Sequence, residues 1–273
     1  MAPSNSVQPD LAYRSGARGS LQSAREITGV SVVVPLFNER EGATQLLETL
    51  TDLDFRYRDQ YGFEFLLVDD GSRDGTTELL ENAVTDLPNF RLIRHETNRG
   101  IAAAIHTGLL HAQNEIVASI DSDGSYEADT LAQMIPLLRE DIDLVTASPY
   151  HPQGRVQDVP AWRLSVSRAA SLVYRTAMRR KLYCYTSCCR VYRRSRFLEL
   201  RTQAEGFVGV AELIWKAETE NLTIVEHPTV LRTRNLGHSK MKVVRSALAH
   251  LHLVSRIACS RIISRRSPRR YDH

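Results

Sequence analysis

At 273 residues, with 42% hydrophobic and 25% charged side chains, the chain can bury a sizeable core and has the composition of an ordinary globular protein. No run of ~18 apolar residues occurs, which excludes a chain that spans a membrane by itself. The four cysteines, at 184, 188, 189 and 259, fit neither a CxxC pair nor a disulfide framework, so they read as reduced structural thiols of a cytosolic protein.

Residues 1–28 are polar, rich in Ser, Gly and Arg, and lack the roughly 7–15-residue apolar core of a signal peptide, so they are expected to form a disordered arm. Strand-like and helix-periodic segments then alternate. "VSVVVPLF" is continuous and β-branched, "EREGATQLLETLTDL" has helical apolar spacing, and "FEFLLVDD" is again a strand. "TTELLENAV" reads as a helix, "FRLIRH" as a short strand, "GIAAAIHTGLLHA" as a helix, "EIVASID" as a strand, "ADTLAQMIPLLRE" as a helix and "DLVTAS" as a strand. The second half holds a basic helical stretch over 161–180, "CCRVYRR", a helix around "GVAELIWKAE", and the strand-like "LTIVEH" and "TVLRTR". This alternation predicts an α/β domain whose mostly parallel central sheet is covered by helices on both faces.

In such sheets ligands sit beyond the carboxyl ends of the strands. Polar clusters follow the first four strands there: "NER", "DDGSRDGT", "HETNRG" and "DSDGS". Four clusters in register read as one site. Asp69 and Asp70 double a carboxylate at a strand end, which suits hydrogen bonding to a nucleobase and ribose, while Asp74 and Thr76 also suit a capped turn. Asn98 and Gly100 shape the entry to a small-residue helix that packs closely on the sheet. Asp121 and Asp123 place carboxylate oxygens within reach of one hard cation, Mg²⁺ or Mn²⁺, that bridges a diphosphate. Alone, that tripeptide reads first as a solvated acidic turn.

Taken together, "VVVPLFNE", "LLVDDGSRDGT", "NRGIAAAIHTGL", "IDSDGS", "DLVTAS", "TSCCRVYRR", "GVAELIWKAE" and "IVEHPTVLRTRNLGHSKM" resemble the family 2 glycosyltransferases of GT-A fold, and among them the polyprenyl-phosphate (dolichyl-phosphate) mannose synthase group. The resemblance covers roughly residues 30–245. It implies inverting, metal-dependent transfer of a hexose, mannose first and glucose second, from a nucleotide-diphosphate sugar of the GDP-mannose or UDP-glucose type to a polyprenyl phosphate. It also implies site residues. Pro35, Phe37, Glu39, Asp69, Asp70, Asn98 and Asp121 match the nucleotide pocket, and Asp121, Asp123 and Ser125 the metal site. Arg163, Ser167 and Arg234, the last with Lys240 near it, match contacts to the acceptor phosphate. Three departures stand out: "ASPY" for "GSRY", which puts Pro149 in place of a basic residue; "YCYTSCCR" for "DPTSGFR"; and "DGSYEAD" for "DLQHPP".

A hydroxyl acceptor needs a general base, whereas a lipid phosphate is already an anion. "GVAELIWKAE" lacks a Glu-Asp pair, which favours the phosphate acceptor, with Glu212 or Asp123 as the remaining base candidates. The alternatives are transfer to a glycan hydroxyl in cell-wall or polysaccharide assembly, and a non-catalytic nucleotide-sugar-binding scaffold, against which the paired aspartates argue.

The net charge of +3 is uneven, with arginines concentrated from Arg155 onward and in the tail "SRIISRRSPRR". That pattern points to a phosphate-bearing or membrane-surface partner, and no nucleic-acid recognition motif accompanies it. Residues 241–273 read as a basic amphipathic helix and tail, with Val243, Ala247, Leu251, Val254, Ala258 and Ile262 on one stripe. The expected organisation is therefore an arm (1–28), a catalytic domain (29–240) and this helix, in a cytoplasmic protein peripheral at the cytoplasmic face of a membrane. A separate membrane subunit is a further partner that the resemblance allows.

Overall fold

The computed structural model describes residues 27–159, 161–204, 206–233 and 243–266. Its first half follows the alternation of the sequence: β1 (Thr28–Leu36), α1 (Arg40–Tyr57), β2 (Tyr61–Asp69), α2 (Thr76–Val84), β3 (Phe90–Arg94), α3 (Ile101–His111), β4 (Ile116–Ser119), α4 (Asp129–Met134) and β5 (Leu144–Ser148). Beyond these lie β6 (Arg155–Gln157), α5 (Ala161–Ala177), β7 (Arg190–Arg193), α6 (Arg194–Phe197), α7 (Gly206–Thr219), β8 (Ile224–Pro228), β9 (Val230–Arg232) and α8 (Val243–Arg266). Seven strands form one sheet in the order β3-β2-β1-β4-β7-β5-β8. Every pairing in it is parallel except those of β7, which runs antiparallel between β4 and β5. The short strands β6 and β9 pair parallel in a separate ribbon.

The continuous valine run of β1 is explained by burial on both faces. Val30, Val32 and Val34 enter one apolar cluster with Leu46, Leu50 and Leu53 of α1 and Leu80 of α2. Val33 points the other way, into a cluster with Ile105 and Leu109 of α3 and Ile214 of α7. β2 alternates likewise, with Phe65 and Leu67 on the first side and Leu66 and Val68 on the second. Each such side chain contributes about 1.5–3 kcal/mol on leaving water. The small residues of α3 allow close approach to the sheet: a Cβ on Gly108 would lie 2.2 Å from Cγ1 of Val33.

Two sequence expectations shift. The helix read through residue 140 ends at Met134 and tightens into a 3₁₀ turn at Ile135–Leu137, because Pro136 has no N–H to continue the α-helical ladder. In α8 the predicted stripe is divided, for Val254 packs against the core cluster and the side chains of Val243 and Ile262 lie outside the described residues. Leu253 and Ile257 pack into the core, whereas Ala247, Leu251 and Ala258 are exposed. The helix is held on the domain by polar contacts as well: Arg256 lies 3.5 Å from Glu212 and donates to Gln203 Oε1 at 3.0 Å, and Arg261 donates to the Ala177 carbonyl at 2.6 Å. Among the described residues no helix is long and apolar enough to cross a membrane. The arm over 1–26, Arg234, Ser239, Lys240 and the tail beyond 266 lie outside the described residues.

Candidate active site

Because β1 to β4 run parallel, their carboxyl-terminal loops meet at one edge of the sheet, where backbone N–H groups and short polar side chains knit them together. Asn38, held at φ 53°, donates its N–H to Ser72 Oγ at 2.7 Å, and its Oδ1 accepts from Arg73 N at 2.7 Å. Glu39 N donates to Thr76 Oγ1 at 2.9 Å. Asp74 accepts from Thr76 N at 3.1 Å and from Arg40 N at 3.2 Å. Burial opposes ionisation of Asp74, but the bond from the Thr76 hydroxyl, together with these backbone bonds, outweighs it and holds its pKa below the usual carboxylate value.

The doubled carboxylate turns inward. Asp69 is fully buried; one oxygen accepts from Ser72 N at 3.1 Å and the other from the Thr77 hydroxyl. Asp70, also buried, accepts from Arg99 N at 2.9 Å and Gly100 N at 2.7 Å, and its Oδ1 lies 2.7 Å from His95 Nδ1, whose Nε2 reaches Thr107 Oγ1 at 2.9 Å. Gly71, at φ 75°, lets this turn press on the backbone of Thr97 and Asn98, where a Cβ would sit within 2.8 Å of the Thr97 carbonyl carbon. The two aspartates therefore fix the loops at the carboxyl end of the sheet. Pro35 and Glu39 are buried, Phe37 is half-buried and Asn98 is exposed.

After β4 the chain turns through Asp121, Ser122, Asp123 and Gly124, with Gly124 at φ 71° and Ser125 N donating to Asp123 Oδ1 at 3.0 Å. Asp121, Asp123 and Ser125 all line a cavity of about 510 Å³. Its wall near them is polar, with Tyr126, Thr186, Ser187 and Arg232; Arg232 also pairs with Glu127, and its N–H donates to the Ser125 carbonyl at 3.0 Å. Away from them the wall becomes apolar through Leu164, Val173, Phe207, Leu251 and Val254, contributed by α5, α7 and α8. One space thus brings two carboxylates together with apolar side chains of three helices. Tyr150, Ser167, Tyr174 and His250 also line it.

The donor chemistry at the acidic end fits a hard divalent cation. Two carboxylates face the cavity, and among the described residues no group of three His, Cys, Asp or Glu forms a complete protein cage. Such an open set suits Mg²⁺ or Mn²⁺, which take the rest of their ligands from phosphate oxygens and water. Cys184 and Cys188 border the same space, yet burial first, and for Cys188 the charge of Asp121, push both thiols up, so they stay protonated and unreactive.

Of the residues marked in the sequence, Asp121, Asp123, Ser125 and Ser167 come together in the cavity, while Pro35, Phe37, Glu39, Asp69, Asp70 and Asn98 do not line it. Arg163 lies on α5, but its side chain is outside the described residues. Glu212 is corrected: it is 0% exposed, its Oε2 accepts from Gln203 N and Ala204 N at 2.7 Å each, and it does not line the cavity, so it cannot serve as a base there. Tyr150, Tyr174, Arg232 and His250 were missed, because nothing in their local sequence marks them as facing this space.

A protein-family model described as Glycosyl transferase family 2 matches residues 31–201. Polyprenol monophosphomannose synthase of Mycolicibacterium smegmatis is 28% identical over 233 residues, covering 83% of this chain and 86% of that protein. Undecaprenyl-phosphate mannosyltransferase of Micrococcus luteus is 27% identical over 218 residues, covering 78% and 87%. The solved structure of a mannosyltransferase from Pyrobaculum calidifontis, in complex with GDP-Man and Mn²⁺, superposes with a TM-score of 0.55 at 20% identity, covering 83% of this chain and 64% of that one. That last likeness is one of fold.

Proposed function

The chain belongs to glycosyl transferase family 2, and from that membership we propose that it transfers a hexose, mannose before glucose, from a nucleotide-diphosphate sugar to a polyprenyl phosphate. The observation that carries this reading is the continuity of the cavity, which leads from Asp121 and Asp123 into an apolar channel between α5, α7 and α8. A sugar hydroxyl acceptor has no use for such a channel; a prenyl tail does. The naming of two relatives as a polyprenol monophosphomannose synthase and an undecaprenyl-phosphate mannosyltransferase supports the same acceptor.

The crevice over Pro35, Phe37, Glu39, Asp69, Asp70 and Asn98 receives the nucleoside, with Asp69 and Asp70 holding its loops in shape. Asp121 and Asp123, with Ser125 beside them, hold the divalent cation. When bound, that cation neutralises the charge that develops on the departing diphosphate. A phosphate oxygen of the acceptor attacks the anomeric carbon from the face opposite the diphosphate. The new C–O bond forms as the old one breaks, the diphosphate leaves with the electron pair, and configuration inverts. The acceptor is already an anion, so no carboxylate base is required. Asp121 and Asp123 are the only carboxylates among the described lining residues, in keeping with that. Ser167, with Arg163 and Arg234, holds the acceptor phosphate.

Exposed apolar side chains on the helices around the cavity also favour a membrane-surface location. Leu172, Phe207, Leu248 and Leu251 are 63%, 40%, 63% and 57% exposed on α5, α7 and α8, and arginines such as Arg168 and Arg256 share those helices. An apolar patch with cations on the same helices suits an anionic bilayer, where the lipid phosphate resides. A separate membrane subunit on the same patch is the alternative, and binding of the isolated chain to anionic vesicles separates the two.

The function is tested by incubating the purified chain with Mn²⁺, polyprenyl phosphate and radiolabelled GDP-mannose, with UDP-glucose in a parallel arm. The expected product is organic-soluble and labile to mild acid. Label that stays in the aqueous phase with both donors would sink the lipid-phosphate reading.

A further inference from the structure

The segment between α5 and β7 turns through Cys184, Thr186, Ser187 and Cys188, all of which line the cavity together with Asp121 and Asp123. Two hydrogen bonds tie it to the acidic turn, one on each side. Before the turn, the Ser119 hydroxyl at the end of β4 donates to the Cys188 carbonyl. Beyond it, the Ser187 hydroxyl donates to the Tyr126 phenol oxygen at 3.2 Å. Where this wall segment stands therefore bears on where the two carboxylates stand.

The wall is gripped from behind by Arg190, the first residue of β7, which is 0% exposed. One end of its guanidinium fork donates to the Tyr185 carbonyl at 2.9 Å and the other to the Val210 carbonyl of α7 at 3.0 Å, so it spans from the wall to the helix packed behind it. Its backbone is paired on both sides, opposite Ser119 of β4 and Thr146 of β5. Glu226 of β8 secures the start of the wall by accepting from Tyr183 N at 2.9 Å and Cys184 N at 3.0 Å. Stability alone is a poor account of Arg190. A charge taken out of water is costly unless an opposite charge meets it, and here the partners are two neutral carbonyls while Nε has none. A methionine would fill the same space without that cost. What it could not do is hold two carbonyls in one rigid fork.

We propose that Arg190 is a positioning residue for the divalent cation: by gripping Tyr185 and Val210 it fixes residues 186–188, and through the Ser119 and Tyr126 bonds it holds the Asp121–Asp123 turn in the spacing that a cation needs. The proposal rests on the metal assignment made under the proposed function and deepens it. Arg190 does not line the cavity. It acts through the wall, as the groups behind a metal's own ligands do, and loss of such groups typically costs about 10–100-fold in metal affinity.

The test uses the full-length chain and reads Mn²⁺ affinity directly, from the electron paramagnetic resonance signal of free Mn²⁺ during titration with GDP present and, in a parallel arm, UDP. The melting temperature without ligands is measured beside it. Arg190→Met keeps an unbranched side chain and removes both fork and charge. Its melting temperature is expected to stay close to that of the wild type, because the desolvation relieved offsets the bonds lost, while the Mn²⁺ dissociation constant rises about tenfold or more. Arg190→Lys keeps the charge and reaches one carbonyl, so it serves if the methionine variant does not fold, and its Mn²⁺ constant should rise as well. Wild-type Mn²⁺ affinity in either folded variant, or a loss of affinity that merely tracks a loss of melting temperature across the two, would overturn the proposal while leaving the metal assignment in place. A wild-type chain that binds no Mn²⁺ with either nucleotide would overturn both.

Discussion

Tyr174 and His250 join α5 to α8 along the wall of the cavity: the phenol oxygen lies 2.6 Å from Nδ1, and the rings meet edge to face with centroids 5.6 Å apart. Burial lowers the pKa of His250 from its ordinary value, and it raises that of Tyr174, with Glu212 adding to the effect. A neutral imidazole can accept the phenol's proton at Nδ1; an imidazolium cannot. The unfolded chain therefore takes up the proton before the folded one does as pH falls. Stability from this group is complete above about pH 6.5 and declines as pH drops below it, until the folded histidine titrates as well. Thermal melts of the wild type should lose more between about pH 7.5 and 5.5 than those of His250→Gln. Parallel losses in the two proteins would remove His250 as the cause.

Asp70 joins the loop after β2 to the loop after β3, since one carboxylate meets His95 and the N–H groups of Arg99 and Gly100. Asp70→Asn keeps the shape but replaces one acceptor with an NH₂ group, which must face a donor. The expected cost is about 1.5–3 kcal/mol, the range for hydrogen bonds to charged groups, and at about 2–4 °C per kcal/mol the melting temperature falls accordingly. If these loops receive the nucleoside as proposed, the stabilisation given by added nucleotide sugar should shrink too. A variant that melts as the wild type does would show that the joint is not needed.

Much of this architecture was legible because strand burial on both faces writes continuous apolar runs, as in Val32, Val33 and Val34, and because turn residues punctuate them. The polar strand ends were legible for the same reason. Three things were not. Whether Asp69 serves a ligand or the fold depends on the Ser72 N–H and the Thr77 hydroxyl closing on it, which no spacing rule conveys. The periodicity of α8 offers two apolar rows, Leu253 with Ile257 and Leu251 with Val254, and only the surface presented by α5 and α7 decides which is buried. The Tyr174–His250 contact joins positions 76 residues apart, beyond the reach of local pattern. Glu212 misled in the opposite direction, because a lone acidic residue on a helix looks like a catalytic group until the N–H groups of Gln203 and Ala204 are seen to occupy it.

Asp123→Ala should separate catalysis from folding. In the fold the carboxylate accepts a local bond from Ser125 N at 3.0 Å, at a half-buried position. Losing it costs about 0.5–1.5 kcal/mol, so circular dichroism and thermal melts should report a folded chain. Mn²⁺-dependent turnover, by contrast, should fall by about 10²-fold or more if the residue helps neutralise the leaving diphosphate. Unchanged turnover would refute the metal assignment.

Two leucines on α8 provide the sharpest separation between channel and core. Leu251 is 57% exposed and lines the cavity mouth, whereas Leu253, two residues on, is 1% exposed and packs in the cluster behind the sheet. Two residues on a helix subtend about 200°, so the side chains face nearly opposite ways. Leu253→Ala should destabilise the protein by about 2–5 kcal/mol through lost transfer energy and a residual cavity. Leu251→Asp should change stability by less than about 0.5 kcal/mol, as surface substitutions do. Its effect should fall instead on the acceptor, because an anion at the mouth repels the phosphate head and wets the path of the tail. Acceptor KM should rise several-fold with donor KM unchanged, and the rise should shrink as the prenyl chain is shortened. An equal effect on acceptors of every length would place the prenyl tail elsewhere than between α5 and α8.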